Sequence, residues 1–111
     1  MTLSEYQSLS ERTLVDSLRH ATEDRIDHAI FGLVAEVGEV ASIFQKDARG
    51  DDDDRAFEKL KGELGDVLWY LSEACSALSI DLDELAVANL EKLRARQERG
   101  AIRGSDRGDD Q

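Results

Sequence analysis

The chain has 111 residues, 41% of them apolar and 35% charged, with a formal net charge of −11 at pH 7. That length fits one domain with a single core, and no apolar run approaches the roughly 20 residues of a membrane span, so no membrane partner is expected. An acidic surface of this strength repels DNA and RNA, which excludes nucleic acid as an expected partner but admits a small phosphorylated ligand if a divalent cation stands between the charges.

The N-terminus, Met1-Thr2-Leu3-Ser4-Glu5, lacks a basic region followed by an apolar stretch. It predicts a cytoplasmic protein without a signal peptide. With no proline and 5% aromatic residues, the chain favours helix. Thr2 with Glu5 forms a capping-box pattern, which predicts a first helix from about Leu3 to near Leu18. Arg19 to Asp24 reads as a polar connection. A second helix fits Arg25 to about Lys46, where Ile26, Ile30, Leu33, Val37, Val40 and Phe44 alternate steps of four and three into one apolar stripe.

Gly50 then supplies a stop, and Asp51 to Asp54 read as a solvated acidic loop. A calcium loop of EF-hand type would need Gly and Glu where Ala56 and Gly62 stand. A third helix fits Ala56 to about Leu78 on the stripe Phe57, Leu60, Leu64, Val67, Leu71, Ala74 and Leu78. The lone cysteine, Cys75, falls in this apolar pattern and reads as a core residue. Asp81, with Glu84 three residues on, starts a fourth helix from about Leu82 to Arg99, stopped by Gly100. The rest, Ala101 to Gln111, is Gly- and charge-rich and expected to be mobile.

The second and third helices carry the same phrase. Leu33-Val34-Ala35-Glu36-Val37-Gly38-Glu39-Val40 matches Leu60-Lys61-Gly62-Glu63-Leu64-Gly65-Asp66-Val67. Residues three apart lie about 60° apart around a helix, so Glu36 pairs with Glu39 and Glu63 with Asp66 beside the stripes. An antiparallel hairpin lets the two pairs face each other. Two unit charges about 4 Å apart repel by roughly 4 kcal/mol at an effective dielectric of 20, so the cluster calls for protons or a cation. Carboxylates without histidine or cysteine suit Mg²⁺, or Mn²⁺ in its place. A ferritin-like di-iron site would need Glu-x-x-His, and neither His20 nor His28 lies three residues after a glutamate. Gly38 and Gly65 each cost a helix about 1 kcal/mol relative to Ala, which suggests close packing there.

Glu36-x-x-Glu39 followed by Glu63-x-x-Asp66 resembles the signature of the MazG-like, all-α nucleotide pyrophosphohydrolases. The likeness extends over Gly32-Leu33, over Gly62 to Tyr70, and through Asn89-Leu90-Glu91-Lys92-Leu93 and Arg96 to Ile102-Arg103-Gly104-Ser105. The resemblance implies an all-α four-helix bundle of that type over 1–105, with 106–111 as a flexible polar tail. It implies a homodimer or homotetramer assembled through helices. It further implies a Mg²⁺-dependent hydrolase that cuts a (d)NTP between the α and β phosphates into (d)NMP and pyrophosphate, clearing surplus or non-standard nucleotides. The metal would rest on Glu36, Glu39, Glu63 and Asp66, and an acid not fully engaged by metal, Glu36 or Glu39, would take the proton of the attacking water.

Asn89, Lys92 and Arg96 share one face of the fourth helix and are candidate phosphate contacts, as are Lys46 and Arg103. The alternative for the α-helical three is ordinary basic enrichment of a helix C-terminal half. Tyr70 is a candidate to stack on the nucleobase. Trp69 is a second, against core or interface packing, and His28 a third, against an exposed helix histidine. Two other functions fit the same acids: a phosphoribosyl-ATP pyrophosphatase-like enzyme, or a non-catalytic dimeric module that binds nucleotide.

Overall fold

The computed structural model describes residues 1–19, 22–51 and 53–100. It contains α1 (Leu3–Glu11), a single 3₁₀ turn (Asp16–Leu18), α2 (Thr22–Ala48), α3 (Ala56–Ala77) and α4 (Leu82–Glu98). No strand occurs among the described residues, so the fold is all-α as expected. No helix among them is long and apolar enough to cross a membrane. Arg103 and the expected tail at 106–111 lie outside the described residues.

The capping box at Thr2 is present, with Glu5 N–H donating to the Thr2 hydroxyl and Thr2 N–H to the Glu5 carboxylate. The first helix is shorter than its pattern predicted. It stops at Glu11 because hydroxyl groups turn back onto the backbone. Thr13 Oγ1 donates to the Ser10 carbonyl at 2.6 Å and Ser10 Oγ to the Gln7 carbonyl at 3.0 Å. Such side chains compete with the helical ladder. Arg19 then closes the end, donating through Nη2 to the carbonyls of Arg12 and Leu14. Gly50 (φ +88°) and Gly100 (φ +71°) end α2 and α4 in the left-handed conformation that glycine adopts without strain. Ser79 takes the same position after α3 at φ +59°, with Ile80 N–H reaching the Cys75 carbonyl at 2.7 Å.

The body of the molecule is the antiparallel α2–α3 hairpin. Its register is visible in pairs: Arg25 meets Glu73, Gly32 meets Tyr70, and Glu36 meets Glu63. The helix cost of Gly38 and Gly65 predicts close packing at both, and the structure places it elsewhere. A Cβ at either would have nothing within 4 Å, whereas a Cβ at Gly32 would fall 2.1 Å from Tyr70 Cε1. The tight contact lies at Gly32 because the Tyr70 ring packs against the α2 backbone there.

Helix α1 crosses α3 and is tied down by polar groups. The Gln7 amide donates to Ser76 Oγ and the Ile80 carbonyl and accepts from Leu82 N–H, so one side chain clamps the α3–α4 turn. Ser4 Oγ donates to Asp81 Oδ1 at 2.6 Å. Asp81 also caps α4 by accepting from Glu84 N–H. The Ser4 hydrogen bond and then that cap hold its carboxyl below the ordinary range. Helix α4 rests against α1 and leaves an apolar groove of about 420 Å³ lined by Leu3, Leu68, Leu71, Leu82, Leu85, Ala86 and Asn89.

The core is small. Among the described residues only Leu14, Ala29, Ala74, Cys75 and Leu82 are buried apolar side chains. The radius of gyration is 17.0 Å, against about 13 Å for a compact chain of this length. Each expected stripe is split in two. Leu33 and Val40 of α2, with Leu60 and Val67 of α3, are half-buried, while Ile30, Val37 and Phe44 with Phe57, Leu64 and Leu71 are exposed. The exposed members recur every seven residues. Phe44 and Phe57 line one hollow between the two helices, and the exposed members of both helices share the seven-residue step of interlocking helices.

Candidate metal centre

The register that pairs residue 36 with 63 decides which acids meet. Glu36, Glu63 and Asp66 each offer a carboxylate oxygen, and the three oxygens lie within 4.8 Å of one another. Glu36 and Glu63 are half-buried at the helix seam and Asp66 is exposed. Glu39 stands one turn farther toward the α2–α3 connection. It is exposed and outside the trio, yet its charge still reaches Glu36.

The Glu36 carboxyl is pushed up to about 7. The largest cause is its hydrogen bond with Glu63, followed by burial and the negative charges of Glu63, Asp66 and Glu39. Its Oε2 is buried and has no hydrogen-bond partner in the protein. A buried, orphaned acceptor beside two further carboxylates is the donor set of a hard divalent cation. The residues present therefore fit Mg²⁺ or Mn²⁺.

This raised carboxyl makes the metal-free protein sensitive to pH. Between the ordinary value of 4.5 and about 7 the folded state holds a proton that the unfolded state has released. Stability contributed by that proton is present below the window and is lost as pH rises through it. Thermal melts in EDTA should show the melting temperature falling by several degrees from pH 5 to pH 7.5, and Glu36→Gln should flatten that slope. An unchanged slope in the variant would show that Glu36 carries no such proton.

A hollow of about 340 Å³ adjoins the acids, lined by Glu36, Asp66, Trp69 and Tyr70. The Trp69 and Tyr70 rings meet edge to face, with centroids 4.9 Å apart, and His28 lies tilted against Tyr70 at 5.8 Å. The three aromatic candidates thus form one row beside the acid trio. The phosphate candidates lie elsewhere. Asn89 lines the apolar groove, Lys92 is exposed on α4, and Arg96 is half-buried there with a partner of its own. Lys46 lines a separate hollow with Asp47, Asp51, Asp53 and Lys59. It is ten residues along α2 from Glu36, or about 15 Å.

Several residues that tie the site's helices together had no motif to announce them. Arg25 donates Nε to Glu73 Oε2 at 2.7 Å and Nη2 to Glu73 Oε1 at 2.9 Å and Glu11 Oε2 at 2.6 Å, joining α1, α2 and α3 at one end of the aromatic row. Those carboxylates hold Arg25 firmly charged. Burial, and then the charge of Asp66, raises the Tyr6 hydroxyl, so α1 also approaches the acids. The hairpin register brings Arg25 to Glu73, the crossing of α1 over α3 adds Glu11 and Tyr6, and no local spacing encodes either.

The profile of the MazG nucleotide pyrophosphohydrolase domain matches residues 26–100, which include both acid pairs. The chain is similar to the "Gene 37 protein" of Mycobacterium phage L5, 37% identical over 83 residues that cover 72% of this chain and 73% of that protein. No solved structure matches.

Proposed function

Because the chain belongs to the MazG nucleotide pyrophosphohydrolase family, we propose that it hydrolyses nucleoside triphosphates between the α and β phosphates. The products are a nucleoside monophosphate and pyrophosphate, and the role is to remove surplus or non-standard nucleotides. The observation that carries this reading is the trio Glu36, Glu63 and Asp66, with its orphaned Glu36 oxygen, opening onto an aromatic-lined hollow. Glu36, Glu63 and Asp66 would hold Mg²⁺, which would supply charge neutralisation to the triphosphate oxygens. Glu39 is the fourth proposed ligand. Because it is exposed and outside the trio, it is also the acid best placed to take a proton from water. Trp69 and Tyr70, with His28 behind, offer ring faces to the base and sugar.

The proposed phosphate contacts, Lys46, Asn89, Lys92, Arg96 and Arg103, belong to an assembled site, since none of the described ones lines the acid hollow of its own chain. A homodimer or homotetramer fits the open fold. The face of Ile30, Val37 and Phe44 with Phe57, Leu64 and Leu71 has the seven-residue repeat with which helices interlock, and a lone chain would expose it to water. The partner is a second copy, because the two rows mirror each other across the hairpin and so complement themselves. Light scattering should give at least twice the 12.4 kDa chain mass, and Leu64→Glu should lower it toward the monomer. A monomeric wild type at micromolar concentration would remove the assembled site.

The direct test is pyrophosphate release from a panel of dNTPs and NTPs with Mg²⁺ and with EDTA. Release that needs Mg²⁺ is expected. Activity undiminished by EDTA, or no release from any triphosphate, would overturn the reading.

A further inference from the structure

The one tryptophan of the chain, Trp69, stands at the mouth of the acid hollow, and its ring is oriented from outside the hairpin. Its Nε1–H, the only polar group of the indole, donates to Thr13 Oγ1 at 2.7 Å. The Thr13 hydroxyl gives its own proton to the Ser10 carbonyl at 2.6 Å, so it meets the indole N–H as an acceptor of fixed orientation. The turn that bears Thr13 is braced on both sides. Arg19 Nη2 donates to the carbonyls of Arg12 at 3.1 Å and Leu14 at 3.0 Å, and the Leu14 side chain is 4% exposed.

We propose that Thr13 is a positioning residue for the nucleoside part of the bound nucleotide, acting through Trp69. This rests on the proposed function of the same site. The three aromatic rings of the row are held in different ways. Tyr70 is pressed over Gly32, where no Cβ could be accommodated, and His28 leans on Tyr70. Trp69 meets Tyr70 edge to face, and its one polar group is held by Thr13 from the turn after α1. Of these two contacts the hydrogen bond is the directional one, and it fixes the indole about its broad terminal torsion. It sets the ring plane that, with Tyr70, bounds the hollow beside Glu36 and Asp66. The phosphates would be held by the acids and the metal they fit, independently of this ring, so the effect falls on nucleoside binding rather than on the bond cleaved.

Three variants test the assignment. Thr13→Val keeps the shape and removes the acceptor. Thr13→Ser restores it. Trp69→Phe removes the indole N–H. With a single tryptophan, intrinsic emission reports the Trp69 environment directly. In Thr13→Val the emission should shift and broaden, and KM for the preferred triphosphate should rise about fivefold to tenfold, as for one lost hydrogen bond, with kcat within twofold. Thr13→Ser should return both. In a Trp69→Phe background, Thr13→Val should have no further effect on KM, since its only route is gone. Unchanged emission and KM in Thr13→Val, a loss confined to kcat, or an undiminished Thr13→Val effect without the indole would each overturn the proposal. Should the wild type release no pyrophosphate at all, the enzymatic reading fails by itself. Emission of Thr13→Val and Thr13→Ser, with nucleotide quenching of Trp69 in the presence of Mg²⁺, then decides the positioning role alone.

Discussion

Glu63→Gln is expected to lower Mg²⁺-dependent pyrophosphate release by about 10³-fold, equivalent to roughly 4 kcal/mol of transition-state stabilisation. Glu63 sits at the centre of the trio and carries the strongest contact to Glu36. The amide is nearly isosteric, so the fold should stand. Without metal, and above the pH of about 7 at which wild-type Glu36 gives up its proton, it should stand better than the wild type, because one of the crowded negative charges is gone and the amide can donate to the Glu36 carboxylate. The signature is therefore a reversal: the variant melts at a higher temperature than the wild type in EDTA, but gains less from Mg²⁺, since one ligand is missing. Pyrophosphate release and paired melts with and without Mg²⁺ measure both halves. A variant that keeps activity within tenfold and gains as much from Mg²⁺ would remove Glu63 from the site.

Arg25→Ala should be the most damaging single change to stability, at about 3–5 kcal/mol. Glu73 is 3% exposed, and its carboxylate is held by two hydrogen bonds from the Arg25 guanidinium. Removing the arginine leaves that charge buried and uncompensated, and also releases Glu11 of α1. For a chain of this size a loss of 4 kcal/mol corresponds to a fall in melting temperature of about 15–30 °C. The informative control is Arg25→Met with Glu73→Leu, which replaces both charges by apolar groups of similar volume and should recover most of the loss. If the double variant is no more stable than Arg25→Ala, the defect lies in lost packing rather than in the stranded carboxylate. Chemical denaturation of the three proteins, with equal slopes required, separates these outcomes.

The helical order of the chain was legible because helix signals are local. Capping at Thr2 and Asp81, stops at Gly50 and Gly100, and the three-four alternation of apolar residues each act within a few positions. Two bounds were misjudged: Thr22 to Asp24, expected in the connection, open α2, and the first helix stops early where the Thr13 hydroxyl takes the Ser10 carbonyl and Leu14 N–H turns to the Glu11 carbonyl instead. The paired acids were legible too, because an i, i+3 spacing repeated on two helices can be counted directly. The spacing could not say how four acids would divide, with Glu36, Glu63 and Asp66 converging while Glu39 stays apart.

What the linear order of residues determined by itself was the set of helices and the chemistry carried on two of them, since both follow from periods of three to four residues. The tertiary structure alone decided that half of each apolar stripe faces outward, that Gly32 rather than Gly38 or Gly65 meets an aromatic ring, that Thr13 holds Trp69, and that Arg25 joins Glu73 to Glu11. Those choices depend on the register of one hairpin and the crossing of one short helix. Each joins residues dozens of positions apart, where no repeat in the sequence can specify which side chain meets which.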